Sequence, residues 1–122
     1  MSTIKVDTIK NTSNVEVYTC KAWVNFDGTT NTGGSCTIRA SGNVTSVTDN
    51  GTANYTINFT NALADANYAL ASMQGHTVGN SQARAVVYDQ DNTKTTTALQ
   101  IRTVNNFTNY YDSGEVYVAV FR

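Results

Sequence analysis

Apolar and polar residues alternate along short segments of this chain, and the clearest case is Val44–Phe59. In its second half, Tyr55, Ile57 and Phe59 occupy every other position, with asparagine or threonine between them. Successive side chains of a β-strand point to opposite faces, so this pattern predicts a strand with one buried and one solvated face. Asp49-Asn50-Gly51 supplies residues that adopt the positive φ angles of a tight reversal. We therefore expect a β-hairpin in this segment.

Similar segments recur at intervals of roughly 10–15 residues, a spacing close to that of antiparallel sandwiches and barrels. Turn-forming residues separate them, and no helical period of useful length occurs. The predicted strands are Thr3–Ile9, Val15–Phe26, Cys36–Ala40, Val44–Thr48, Tyr55–Thr60, Tyr68–Gln74, Ala83–Tyr88, Thr95–Val104 and Glu115–Phe121. We expect an all-β fold, an antiparallel β-sandwich of the jelly-roll kind. Residues 1–14 would form an N-terminal strand or arm, and residues 15–122 the sandwich domain.

The last predicted strand is apolar on both faces. Its valines occupy one set of alternate positions, and Tyr117, Ala119 and Phe121 occupy the other. A strand that is apolar on both faces is normally buried on both. In a domain of this size the second covering layer can be a neighbouring subunit, so we expect a homo-oligomer. Thr3–Ile9 is followed by a polar break and is either an exchanged arm or an edge strand.

Composition narrows the classes of function. A chain of 122 residues is one domain by length, and its net charge of −1 gives no basic surface for nucleic acid. Charged residues make up 14% of the chain, whereas asparagine and threonine together make up roughly 29%. The sequence contains no apolar run near the roughly 18 residues of a membrane span. The first ten residues contain no apolar signal region, so we expect synthesis and folding in a cytoplasm.

The two cysteines, Cys20 and Cys36, are expected to be unpaired. If Val17–Phe26 and Cys36–Ala40 pair across the glycine-rich loop Asp27–Ser35, then Cys36 lies opposite Asn25. Cys20 would then lie far along the hairpin and on its other face, too distant for a disulfide. We expect two small buried thiols in a reducing compartment.

Lys21–Phe59 carries a family resemblance, in Lys21–Phe26, the glycine-rich loop after it, Thr37–Ser41 and the turn-and-strand segment Asp49–Phe59. Asp65–Ala69 and Val116–Arg122 share it. These segments resemble a β-rich module of tailed-bacteriophage virion proteins, of the marine and cyanobacterial phage type. Family members often have a proline in the stretch before the aspartate that is Asp65 here, and Ala62–Ala64 has none. The middle of the chain, Gln74–Asn109, is individual to this protein.

The resemblance implies a protein of the virus particle that is made in the host cytoplasm. Such modules form tips of tail fibres or other appendages, are generally trimeric, and contact the host surface through variable loops. The expected function is therefore non-enzymatic adhesion to the host cell surface, with a host glycan as the ligand and no cofactor. The expected partners are further copies of this chain in a homotrimer and other virion proteins, without nucleic acid or membrane insertion. The alternative is a capsid decoration or knob protein with a structural role and no host ligand.

The segment Asn105–Gly114 is the best candidate for ligand contact. It is a long predicted loop in which aromatic rings stand among amide and carboxylate groups, the combination that carbohydrate recognition uses. The candidate ligand-binding residues are Phe107, Asn109, Tyr110, Tyr111 and Asp112. The competing interpretation is that these rings pack on the sheet or on a neighbouring subunit. Gly75–Gln82 is a second candidate loop with less support.

Other residues that could act in catalysis or binding are better explained by structural roles. His76 is the only histidine, so a catalytic triad has no support; three copies on a threefold axis could bind a metal, but a loop histidine is the default. Asp89–Thr93 places oxygen ligands at alternate positions, as calcium prefers, yet lacks the glycine and distal glutamate of a calcium loop. Trp23 is expected to pack in the core or between subunits rather than to stack on a sugar. We predict no catalytic residue and no metal ligand.

Overall fold

The computed structural model describes residues 2–75, 83–88, 93–106 and 109–122. Within these ranges the chain forms nine β-strands and no helix. The strands are β1 (Cys20–Thr32), β2 (Ser35–Gly42), β3 (Val44–Asp49), β4 (Asn54–Phe59), β5 (Ala69–Gln74), β6 (Arg84–Val87), β7 (Ala98–Asn105), β8 (Asn109–Tyr110) and β9 (Val116–Phe121). The described part of the chain contains no helix that is long and apolar enough to cross a bilayer.

All strand pairs are antiparallel, which confirms the predicted all-β class. The main sheet runs in the order β5-β9-β1-β2-β3-β4-β7-β6, and β8 pairs with β7. A sandwich has two sheets, whereas here one sheet of nine described strands curls until it is nearly closed into a barrel. A sheet whose strands twist in one direction brings its two outermost strands together in this way, which leaves few free edges.

The core of the barrel is filled by alternate, inward-facing residues of β1, β3, β4, β7 and β9. Phe26 and Tyr55 lie at the centre, with their ring centroids 5.2 Å apart in an edge-to-face arrangement. Around them lie the fully buried side chains Val24, Val47, Ile57, Leu99, Ile101, Val116 and Val120. The predicted alternation of Asn54–Phe59 is confirmed, because Tyr55, Ile57 and Phe59 are buried while the residues between them are half-buried.

The turn between β3 and β4 also matches its prediction. Gly51 has a φ of 120°, and its N–H donates to the Asp49 carboxylate at 2.9 Å. On the solvent side of this hairpin, the Asn58 side-chain amide donates to the hydroxyls of Ser46 and Thr48 at 3.1 and 3.0 Å. Asparagine and threonine therefore form a hydrogen-bonded outer face where other sheets carry ion pairs.

The predicted pairing of the first hairpin is wrong. Asn25 lies opposite Ala40 rather than Cys36, because β1 continues to Thr32 and the reversal is confined to Gly33 and Gly34. Both glycines have positive φ angles, 62° and 88°, as a two-residue hairpin turn requires. The sequence alone does not fix how far a strand continues past a polar stretch, and here the polar residues of Asp27–Thr32 lie within the strand.

Both cysteines are free, as predicted, but only one is buried. Cys36 packs in the core, whereas Cys20 begins β1 at the exposed end of the sheet. The expectation of two buried thiols is therefore wrong for Cys20. Burial and the nearby carboxylates, Asp49 first among them, raise the pKa of Cys36 to about 11.

One side chain bridges the remaining gap in the barrel. β5 and β6 are the outermost strands of the sheet, and Gln74 at the end of β5 bridges the gap between them. Its amide nitrogen donates to the carbonyl oxygens of Ala85 at 2.5 Å and Val104 at 2.8 Å. Its amide oxygen accepts a hydrogen bond of 2.6 Å from the Tyr111 hydroxyl. Away from this bridge a small apolar cleft remains between the strands, lined by side chains that include Leu70, Val86 and Ile101.

The first predicted strand, Thr3–Ile9, does not form, and the barrel begins only at Cys20. Ser2–Thr19 is an exposed N-terminal arm that includes a small reversal. There the Val17 N–H donates to the Ile9 carbonyl at 2.7 Å, and the backbones of Lys10 and Glu16 form an isolated antiparallel β-bridge. The predicted domain boundary after residue 14 therefore falls within this reversal.

The outward face of β5, β9 and β1 is apolar. We call it the outer apolar face, and it consists of Trp23, Ala71, Met73, Tyr117, Ala119 and Phe121. Trp23 is 43% exposed and lies close against Gly42 of β2, since a Cβ atom on that glycine would come within 2.3 Å of the indole nitrogen. Trp23 is thus outside the core. The inward valines of β9 are buried, and its other face is uncovered in the single chain.

Candidate functional site: a polar groove at one end of the barrel

A groove of about 720 Å³ lies at the end of the barrel where β1 and β2 meet the segment that leads into β9. We call it the polar groove. It is lined by Asp27, Thr29, Arg39, Gly75, Arg84, Tyr111, Asp112, Ser113, Gly114 and Glu115. Its volume falls within the range of about 300–1,000 Å³ that is typical of small-molecule sites. Five separate parts of the chain contribute to it, so it exists only in the folded barrel.

The first wall is an ion pair between β1 and β2. Arg39 Nη2 lies 3.3 Å from Asp27 Oδ2 and also donates to the Gly114 carbonyl at 2.6 Å. The other Asp27 oxygen accepts hydrogen bonds from the Thr29 hydroxyl at 2.6 Å and the Thr29 N–H at 2.9 Å. These hydrogen bonds, with the charge of Arg39, lower the pKa of Asp27. Asp27 therefore presents a fixed carboxylate at neutral pH.

A second part of the lining is a cation stacked on an aromatic ring. The Arg84 guanidinium carbon lies 4.2 Å from the centroid of the Tyr111 ring. The Tyr111 hydroxyl is held by Gln74, so the ring has little freedom to turn. Arg84 Nε has no hydrogen-bond partner among the described residues. Because Nε is buried, a ligand would meet the face and the terminal nitrogens of this guanidinium, and a planar guanidinium held on a ring is suited to bind oxygen atoms.

The floor is built around the Asp112 carboxylate. Its Oδ1 atom accepts hydrogen bonds from the Ala53 N–H at 2.8 Å and the Tyr55 hydroxyl at 3.0 Å. Ala53 has a φ of 57°, a left-handed conformation that is unfavourable for alanine and that orients its N–H to this carboxylate. Beside it the Gly28 N–H donates to the Ser113 carbonyl at 2.8 Å. Asp112 thus joins the β3–β4 turn, the core and the segment before β9.

The groove combines charged hydrogen-bonding groups of both signs with one aromatic face. The carboxylates of Asp27 and Glu115 can accept hydrogen bonds from hydroxyl groups, and Arg84 can donate to ring or hydroxyl oxygens. A carboxyl group that acts as an acid in glycoside cleavage needs a raised pKa, and the pKa of Asp27 is lowered, so Asp27 is unsuited to that role. The described residues include no cluster of three or more metal-ligating side chains.

The predicted ligand-binding residues are divided between two surfaces. Tyr111 and Asp112 line the polar groove. Asn109 and Tyr110 form β8 outside it, where the exposed Tyr110 ring lies 5.1 Å from the Arg102 guanidinium carbon. Phe107 lies outside the described residues. So do residues 89–92 and residues 76–82, which make up all of the second candidate loop Gly75–Gln82 except Gly75 and include His76. The structure thus places two of the five predicted residues together at one site.

Sequence reasoning missed Asp27, Arg39, Arg84 and Glu115. No local pattern distinguishes them, since each is a single charged residue in or beside a different predicted strand. The long side chain of Arg39 reaches Gly114, 75 positions further along the chain, only because β2 and the end of the barrel are adjacent. The chain has only seventeen acidic and basic residues, and four of them line this groove together with Asp112. In a chain with so few charges, each charged residue was a candidate for a functional site.

Comparison with known proteins identifies no relative: no family model, curated protein or solved structure matches this chain.

Proposed function

We propose that this protein is a binding module on the surface of a tailed-phage particle, at the tip of a tail fibre or appendage. It acts without catalysis, assembles as a homotrimer with attachment to other virion proteins, and recognises a host-surface glycan in the polar groove. The observation that carries the ligand part of this proposal is the Arg84–Tyr111 stack, which lines the same groove as the fixed Asp27 carboxylate.

The groove suits a neutral or weakly charged saccharide. Sugar hydroxyls pair with carboxylates and guanidinium groups, and the apolar faces of sugar rings stack on aromatic side chains. The lining contains three carboxylates and two guanidinium groups, and one of each is already engaged in the Asp27–Arg39 pair. This balance supports recognition of polar groups rather than attraction of a highly charged ligand.

Binding of the purified protein to an array of bacterial surface polysaccharides, followed by inhibition of phage adsorption, tests the proposal. We expect binding to be retained by the wild type and weakened about 10- to 100-fold by Arg84→Met, the cost of a lost hydrogen bond from a charged group. Arg102→Met is the matched control, because Arg102 also stacks on a tyrosine but lies outside the groove. Absence of binding to any glycan, or equal loss in both variants, would contradict it.

The outer apolar face favours a second candidate, a capsid decoration or knob subunit. An exposed apolar face on a folded chain marks a site of protein contact more often than a sugar site. If this role is the main one, the protein will co-sediment with capsid shells in fixed stoichiometry and will leave adsorption unchanged. Substitution of Met73 by lysine would then release it from shells, whereas Arg84→Met would not.

A further inference from the structure

The N-terminal arm leaves its apolar side chains uncovered. Ile4 is 88% exposed and Tyr18 is 77% exposed, and Val6, Ile9, Val15 and Val17 are exposed as well. The backbone hydrogen bonds of the arm lie within its own reversal at residues 9–17. Residues 3–9 retain the alternation of a strand, with Ile4 and Val6 on one side. Burial of these apolar side chains would be favourable, and exposed segments of this kind are typical of strands that dock on another surface.

The outer apolar face is a second uncovered surface in the same chain. It forms a depression of about 470 Å³ between Trp23 and Met73, and Met73 is 68% exposed. Charged side chains are absent from its lining, which contains only Asn25 and Ser72 as further polar residues besides Tyr117. The face and the arm are therefore alike in chemistry, and both are incomplete in a single copy.

The amounts of surface involved point to a second copy as the occupant. A stable interface buries about 800 Å² on each partner, and a shallow face of six side chains is smaller than that. The 18 residues of Ser2–Thr19 expose on the order of 2,800 Å² in an extended chain. Burial of about a third of the surface of this segment would bring the contact to the area that a stable interface needs. The arm also starts beside the face, because Cys20 pairs with Phe121, which pairs with Ala69.

We propose that the arm of one copy docks on the outer apolar face of the next copy, with Ile4 and Val6 in the depression between Trp23 and Met73. Each copy gives its arm to one neighbour and receives an arm from the other. Such a head-to-tail contact closes into a ring when the rotation between copies allows it. The proposal deepens the homotrimer of the proposed function and relies on it for the ring size only; it is independent of the glycan.

Sedimentation velocity of the full chain with two single-sided variants tests the exchange. Ile4→Asp/Val6→Asp damages the arm, and Met73→Lys damages the face; all three side chains are exposed in the folded chain, so the barrel should remain intact. We expect each variant to raise the dissociation constant of the oligomer at least about 100-fold, as expected for the loss of buried aliphatic groups. Thr52→Lys, in the exposed β3–β4 turn, is the control and should assemble as the wild type does.

Mixing the two variants separates arm exchange from a face-to-face contact. One intact arm and one intact face remain in the mixture, so we expect a heterodimer that does not grow further. Emission from Trp23, the only tryptophan, should shift to shorter wavelength as this dimer forms. A wild type that is monomeric throughout, an arm variant that assembles normally, or a mixture that stays monomeric would each overturn the proposal. Glycan binding, with and without Arg84→Met, is measured on the monomeric variants. Loss of arm exchange can therefore be told apart from loss of glycan binding.

Discussion

The hydroxyl of Tyr55, fully buried in the barrel, lies 3.0 Å from the carboxylate oxygen of Asp112 at the surface end. The same hydroxyl is 3.0 Å from the Gly28 carbonyl, so it links the core, β1 and the floor of the polar groove. Burial first, and then the Asp112 carboxylate, raises the pKa of Tyr55, which therefore stays protonated and keeps its role as donor at all physiological pH values.

Removal of this link should destabilise the barrel. We expect Tyr55→Phe to lower the free energy of unfolding by about 1–2 kcal/mol, because the one hydroxyl proton that the Asp112 carboxylate and the Gly28 carbonyl share is lost. Asp112→Ala should cost a similar amount, and the double variant should cost less than the sum of the two, as measured by urea denaturation. Strict additivity would show that the two side chains do not interact. Tyr110→Phe, at an exposed ring, is the neutral control.

Gly28 is required for close packing rather than for an unusual backbone angle. A Cβ atom there would lie 2.5 Å from the Tyr55 hydroxyl oxygen and 2.8 Å from the Ser113 carbonyl oxygen. We expect Gly28→Ala to destabilise the fold by about 1–3 kcal/mol, the usual cost of overpacking. The matched control is Gly114→Ala, whose Cβ would meet nothing closer than 3.8 Å. Thermal unfolding of the two variants should therefore differ clearly, and equal melting temperatures would contradict this packing.

The Gln74 bridge is expected to hold the two outermost strands together. Gln74→Met keeps the volume but removes both donated hydrogen bonds across the gap and the acceptor for Tyr111. We expect a loss of about 1–3 kcal/mol, because buried carbonyl groups lose their partners. Hydrogen exchange should be faster at the amides of Arg84–Val87 than in the wild type. Ser72→Ala, two residues earlier on the same strand, should leave these rates unchanged.

The two thiols should differ sharply in reactivity. The pKa of Cys36 is raised to about 11, so near pH 8 this buried thiol is almost entirely protonated, and the thiolate is the reactive form. Cys20 is accessible at the start of β1. Titration with a thiol reagent at pH 8 should therefore modify one cysteine rapidly in the folded protein and both after denaturation. Rapid reaction of both thiols in the native state would contradict the observed burial of Cys36.

A surface pair fixes the end of the chain to the loop before β5. Arg122 Nε and Nη2 donate to the two oxygens of Asp65 at 2.7 and 2.5 Å. The hydrogen bonds from Arg122 are the main reason that the pKa of Asp65 is lowered from 3.8 to about 2. A lowered pKa means that the pair is intact above about pH 4 and is lost as the pH falls towards 2. Carboxyl NMR titration should show the Asp65 pKa rising towards 3.8 in Arg122→Gln.

Local patterns predicted the strands well because alternation of side chains is a property of each strand by itself. Pairing is not local, and here the predictions failed. The sequence predicts that Asn25 lies opposite Cys36, yet it pairs with Ala40, because the six residues Asp27–Thr32 extend β1 instead of forming a loop. The sequence predicts no strand at β8, because two residues carry no period. It does predict one at Thr3–Ile9, whose alternation finds no partner in the barrel.

Local sequence is enough to specify an antiparallel all-β chain with free cysteines, an asparagine- and threonine-rich surface and a turn at Asp49–Gly51, because each depends on residues that are near one another along the chain. The tertiary structure alone decided that one sheet curls back on itself, that Gln74 bridges its ends, and that Asp27, Arg39 and Arg84 meet Tyr111 in one groove. Those relationships depend on strand order and register, which arise from the combined burial of all the apolar faces and are not encoded in any single segment.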